Sequence, residues 1–206
     1  VQVTKKLGTH WELQGEYHLR RQNNFHYSRW QPFENPYLSG YRLQVSYRSG
    51  PWIVQFLPTY FFNYPLLGKE EDFNNPAGAE WRFVGYVEWA KTWKRFTLRL
   101  RPGYEYRRLE RNQYQPTGRA RFRVQGRLAF GEHLRWILGT EPMLNVGPNP
   151  APVVFNQNQA YTGLDFDLIG NTLGLEIGYY YLLRQRRTVV EFDDEHALNV
   201  QLKIRL

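Results

Sequence analysis

Side chains able to do covalent or acid–base chemistry are few and scattered in this sequence. Serine occurs only at 28, 39, 46 and 49, histidine at 10, 18, 26, 133 and 196, and cysteine not at all. Nucleophilic hydrolysis needs a serine hydroxyl within reach of a histidine that a carboxylate orients. Ser39 and His18 are the nearest candidates by chain position, but alternation along the strand points Ser39 outward with Tyr37 and Tyr41. The segments "DFD" (165–167) and "DDEH" (193–196) hold the acids and the histidine of a second conceivable hydrolytic site. A short turn at Gly170 follows the first and a long connection precedes the second, which places them at opposite ends of the fold. Five histidines without cysteine give no metal-ligand spacing. The expectation is no enzyme, no metal and no cofactor.

Arginine is the charged residue with regular spacing. "RARFRVQGRLAF" (119–130) sets Arg119, Arg121, Arg123 and Arg127 on one parity and Ala120, Phe122, Val124, Leu128 and Phe130 on the other. Period-two alternation marks a strand, whose successive side chains point to opposite faces. The charged parity continues through Arg99, Arg101, Glu105 and Arg107 on the preceding segment, and Arg135 and Glu141 on the following one. Glu80 and Glu88 join from one side, and Asp165, Asp167, Glu176, Lys203 and Arg205 from the other. Like charges on adjacent strands repel unless opposite charges intervene. Glu88, Glu105 and Glu141 are therefore expected to reach the arginine ladder. Cations outnumber carboxylates on this face, so it either fills an interior with ion pairs or lines a path that favours anions.

These side chains must be positioned by a long series of strands. Strand-like segments are read at 1–7, 10–22, 37–49, 51–63, 79–91, 95–109, 118–130, 133–146, 159–169, 172–185 and 195–206, with no convincing helix. The connections at 8–10, 49–51, 91–94, 131–133 and 170–171 are short. Those at 23–36, 64–78, 110–117, 147–158 and 186–194 are longer and rich in Asn, Pro, Gln and acidic residues. Alternating short turns and long loops characterise outer-membrane barrels. A thirteen-residue strand reaches about 43 Å at ~3.3 Å per residue, and at a ~40° tilt rises about 33 Å, more than an apolar band of ~25 Å requires.

The uncharged parity is apolar and aromatic throughout, and Trp11, Trp52, Trp81, Trp89 and Trp136 on it are expected to form a lipid-facing girdle. Turning the 118–130 strand over would set four arginines against lipid, a loss on the order of 10 kcal/mol. A soluble barrel with arginines outside explains the alternation but neither the loop asymmetry nor the strand lengths. The net charge of +8 and a pI of about 9.7 invite nucleic acid. Nucleic-acid sheets, however, carry aromatics beside arginines on one face, and here the two are mostly on opposite faces. There is no run of eighteen apolar residues, so a transmembrane helix is not expected. The sequence starts at Val1 rather than Met, and removal of a signal peptide is the expectation.

From about residue 95 the sequence resembles a family of uncharacterised bacterial outer-membrane β-barrel proteins, frequent in Bacteroidota. The resemblance lies in "RLRPGYEYR" (99–107), "RARFR" (119–123), "FNQNQAYTGLDF" (155–166), "LGLEIGYYYLLR" (173–184) and "HALNVQLKIRL" (196–206). The first half is similar mainly in layout. Gln159 stands where the family tends to have Arg, and "TEPML" (140–144) where it often has Asn-Glu-x-Phe. The resemblance implies an exported barrel and no particular activity.

Together these readings predict one all-β domain over 1–206. It is an antiparallel transmembrane barrel of about twelve strands, within a range of ten to twelve, with short periplasmic turns and long extracellular loops. Its expected place is the bacterial outer membrane, among lipid and lipopolysaccharide and in a possible complex with other outer-membrane subunits, without nucleic acid. The expected role is non-catalytic, with the Arg/Glu interior as structural filling. A small anion-selective channel is the alternative, and an outer-membrane hydrolase ranks third.

Overall fold

The structure, a computed structural model, describes residues 1–22, 34–65, 67, 70–110, 116–147, 154–185 and 190–206. Among them eleven strands form one closed barrel. They are β1 (Gln2–Leu7), β2 (Trp11–Gln22), β3 (Asn35–Ser49), β4 (Trp52–Asn63), β5 (Gly78–Trp93) and β6 (Phe96–Leu109). The chain continues with β7 (Thr117–Phe130), β8 (Leu134–Asn145), β9 (Phe155–Ile169), β10 (Leu173–Gln185) and β11 (Phe192–Arg205). A short 3-10 turn, Glu70–Asn74, interrupts the β4–β5 connection. Ser28, and residues 23–33, 111–115, 148–153 and 186–189 of the long loops, lie outside the described residues.

Each strand pairs antiparallel with the next in sequence, so successive connections fall at alternate ends. All the short turns therefore share one end, and the C-terminal residues of β11 reach the same end. Gly8, Gly50, Gly131 and Gly170 in these turns have positive φ, where a side chain would be strained. The fifth turn uses Lys94 at φ 51° instead.

The expected twelfth strand is not needed. A meander with an odd number of strands returns its last strand parallel to its first. β1 and β11 accordingly close the barrel as a parallel pair, Gln2 opposite Lys203 and Thr4 opposite Arg205. β1 is short, and the Val1 carbonyl accepts from the Tyr17 amide, halfway along β2. Above that level β2 pairs with β3 only and β11 with β10 only. Leu198 of β11 is consequently 80% exposed.

Burial follows the sequence alternation. On β4, Ile53, Gln55, Leu57, Thr59 and Phe61 are buried, while Trp52, Val54 and Phe56 between them are exposed. The buried parity points inward. It carries Glu80 and Glu88 on β5, Glu105 on β6, Arg119 on β7, Glu141 on β8, Asp165 on β9, Glu176 on β10 and Lys203 on β11. The interior is not purely polar, as the charge pattern alone implied. Leu57, Val84 and Tyr86 form a small apolar cluster inside the wall, because β4 is hydrophobic on both faces.

Candidate functional site

The barrel interior is the candidate site, and its centre is the wall made by β5 to β8. Arg119 sits directly across from Glu105 in the β6–β7 ladder, so pairing follows from strand register. Both the Nε and an Nη of Arg119 donate to Glu105 Oε1, the Nε at 2.8 Å. The second oxygen of Glu105 accepts from Arg121 at 2.5 Å. Arg121 turns its Nε to Glu141 at 2.9 Å, and Arg123 donates to the other Glu141 oxygen at 2.9 and 2.5 Å. The result is a chain Arg119–Glu105–Arg121–Glu141–Arg123 running along the wall. Each carboxylate accepts hydrogen bonds from two guanidiniums: Arg119 and Arg123 each place two nitrogens on one oxygen, and Arg121 bridges the two carboxylates.

The neighbours extend the chain at both ends. Glu80 accepts from Arg107 on β6 and from Arg82 on its own strand, the latter at 2.9 Å. Glu88 lies 3.5 Å from the Arg99 Nε, a distance of charge contact without a formed hydrogen bond. Arg101 has no ion-paired carboxylate among the described residues. It lies over the Tyr86 ring at 4.3 Å and donates to Gln55 at 3.4 Å. Arg127 has neither a carboxylate nor an aromatic partner among the described residues, and its Nε is buried without a hydrogen bond.

A second cluster braces β11 from inside. Lys203 donates to Asp165 at 3.0 Å and to Glu176 at 2.5 Å, while Arg135 meets Asp165 at 3.0 Å and Asp167 at 2.7 Å. Arg205 completes it on Asp167 at 2.9 Å. The network ties β11, the strand that pairs only weakly with β1, to β8, β9 and β10. At the long-loop end Glu195 of β11 lies 3.5 Å from Arg20 of β2, an ion pair across the stretch that β1 does not fill.

Ladder residues Arg99, Arg107, Arg119, Arg121, Arg123 and Arg135 thus meet Glu80, Glu88, Glu105, Glu141, Asp165 and Asp167. Arg101 and Arg127 do not meet a carboxylate among the described residues. Glu176 belongs to the lysine cluster rather than to the ladder. The tryptophans do not come together as one band. Trp11, Trp52, Trp89 and Trp136 lie near the short-turn ends of β2, β4, β5 and β8. Trp81 lies towards the other end of β5, packed on Tyr60 at 4.9 Å.

Tyr86 is the interior residue that sorting by polarity overlooks. It shares the even parity of Glu80, Arg82 and Glu88 on β5, which is the signal that places it inside. Its hydroxyl crosses the lumen to Glu141 on β8 at 3.3 Å. A Cβ at Gly103, opposite on β6, would come within 2.2 Å of the Tyr86 ring, so glycine makes room for the tyrosine. Tyr161 over Gly178 repeats the arrangement on β9 and β10.

The scattered catalytic candidates stay apart. His18 holds to Glu16 at 3.0 Å, and Ser39 lies opposite Leu19 in the β2–β3 ladder. Asp165 and Asp194 face Glu176 and Leu183 on β10, seven positions apart and therefore separated by ~23 Å along the strand. Asp194 meets its neighbour His196 at 3.2 Å, beside Tyr179. Among the described residues no three His, Asp or Glu side chains form a metal-ligand set.

At the short-turn mouth the interior opens into a cup of about 270 Å³. Five arginines surround it, Arg48, Arg95, Arg99, Arg127 and Arg135, with no carboxylate in its lining.

Fold and interior define a class: an up-and-down β-barrel with a charged, hydrogen-bonded interior and an apolar outer surface. The chain belongs to the family described as "Protein of unknown function (DUF2490)", whose family model matches residues 1–193. The match takes in the first half, where the motif resemblance was mainly one of layout. No curated protein matches the chain.

Proposed function

We propose that this barrel is an integral outer-membrane protein of bacteria whose interior is a structural ion-pair network rather than a catalytic centre. The observation that carries the reading is the pairing of a charged interior with an apolar exterior. Glu105 and Glu141 are 0% and 2% exposed, whereas Trp52, Val54 and Phe56 on the outer surface are each more than half exposed. A soluble protein rarely presents so continuous an apolar surface, and lipid is the solvent that fits it. Bacteroidota, the group in which the resembling proteins are frequent, is the expected source, and lipid with lipopolysaccharide the expected surroundings. A larger envelope assembly would account for a barrel without chemistry of its own.

A second reading, a small anion-selective pore, is favoured by Arg101 and Arg127, which lack carboxylates on a wall where the others have them. The packed side chains around Glu105, Ile137, Glu141 and Met143 weigh against an open path through the middle. Refolding into phospholipid vesicles tests both readings. Insertion should protect the strands from protease without releasing entrapped chloride. A protein that stays in the aqueous phase refutes the membrane reading, and rapid chloride release replaces the closed barrel by the pore.

A further inference from the structure

The arginine cup at the short-turn mouth is unlike the rest of the interior. In the wall above it nearly every guanidinium has a carboxylate. Here Arg135 alone is fully paired, with Asp165 and Asp167. Arg99 has the 3.5 Å approach of Glu88 and the more distant charge of Glu12, Arg127 has only the more distant charge of Asp165, and Arg48 and Arg95 have no ion-paired carboxylate among the described residues. The Nε atoms of Arg99 and Arg127 are buried and make no hydrogen bond. A buried guanidinium donor without an acceptor is costly, and a charge-assisted bond to an oxyanion relieves that cost.

The shape of the cup agrees with its charge. Ala90 and Ala129, inward residues close to the mouth on β5 and β7, leave the space that longer side chains would take. Thr92 and Thr97 add hydroxyls on the same wall, bonded to each other at 2.9 Å. Arginine forks, small neighbours and hydroxyls are the chemistry that holds a tetrahedral oxyanion carrying two charges. Chloride has no forked acceptors, and a monocarboxylate has one charge and one fork.

We propose that this cup binds a phosphate group, held by the guanidinium groups of Arg99 and Arg127 that line it, with Arg48 and Arg95 closing over it from the rim. The proposal rests on the interior geometry and not on the membrane placement, so it can be tested in detergent. Arginine Nε–Hε resonances of the folded barrel, in a phosphate-free maltoside detergent, report the state of each guanidinium group. Titration with inorganic phosphate should shift a small subset of them saturably. Sodium chloride and sodium acetate at matched ionic strength should not.

Arg127→Gln should weaken phosphate binding by about tenfold or more, as expected for losing a charge-assisted donor. Arg48→Gln, on the exposed rim, should weaken it less and keeps the test valid if the Arg127 variant fails to fold. Arg184→Gln, at the opposite end, should leave affinity unchanged. A short-chain phosphatidic acid in place of inorganic phosphate separates the two sources of the group. Saturation by the lipid alone identifies a headgroup site, and saturation by phosphate a soluble ligand. Shifts that chloride and acetate reproduce, or that persist in both the Arg127 and Arg48 variants, overturn the proposal.

Discussion

At Glu105 one fully buried carboxylate holds Arg119 with one oxygen and Arg121 with the other. Replacing a single partner in such a group leaves desolvated charge behind, which costs far more than the group contributes as a whole. Glu105→Gln is therefore expected to destabilise the barrel by ~3–5 kcal/mol. Glu195→Gln, where the 3.5 Å contact with Arg20 lies near the surface, should cost less than about 1 kcal/mol. Denaturant unfolding in micelles compares the two. Packing makes an equally local prediction at Gly103. A methyl there meets the Tyr86 ring at 2.2 Å, so Gly103→Ala should cost ~1–3 kcal/mol as overpacking. Combining it with Tyr86→Leu should recover part of that loss, and strict additivity in the double variant would show that the two residues do not touch. Glu105 and Glu141 could be read as ladder partners because parity and neighbouring strands specify them. Tyr86 and Gly103 could not, since neither is charged and their contact depends on the β5–β6 register.

Among the elements, β1 closes the barrel with the least pairing. It is six residues long and meets β11 over three register pairs, whereas the central strands pair over most of their length. Amide exchange should accordingly be fastest in β1 and in Phe192–Leu198 of β11, and slowest in β6 and β7. Equal protection around the wall would contradict this account of the seam. On the proposed placement, the outer face of each strand meets lipid. Leu138→Arg, midway along β8, should then lower the stability of the bilayer-inserted barrel by ~2–4 kcal/mol, measured by reversible unfolding from vesicles. The strands themselves were legible in the sequence to within a few residues, because period two persists over long segments. β9 is the main exception: it begins at Phe155, inside a stretch read as loop. Its Asn- and Gln-rich start has no hydrophobic alternation, and pairing with β8 and β10 holds it extended.

For the whole molecule, closure depends on a property no single segment carries. The sequence presents eleven strands, and evenness was expected from the habit of bacterial barrels rather than from any residue. The parallel β1–β11 pair closes the eleven described strands into a barrel. The direction of the faces was legible because arginine and apolar residues separate so completely on β7. The mixed interior beside β4 was not, since both of its faces are hydrophobic.

The central claim is that the apolar outer face lies in a bilayer while the charged face is enclosed. The chain has no cysteine, so single-cysteine variants can carry a nitroxide label without background. Labels at outward Val54, Val87, Leu138 and Ile177 and at inward Ser46, Gln55 and Thr59 sample both faces. In vesicles the outward labels should be more accessible to oxygen than to a water-soluble nickel complex, with a preference that rises towards mid-strand. The inward labels should lack that preference. Outward labels that collide more with the nickel complex than with oxygen would contradict the account and identify a barrel whose apolar face is turned to water.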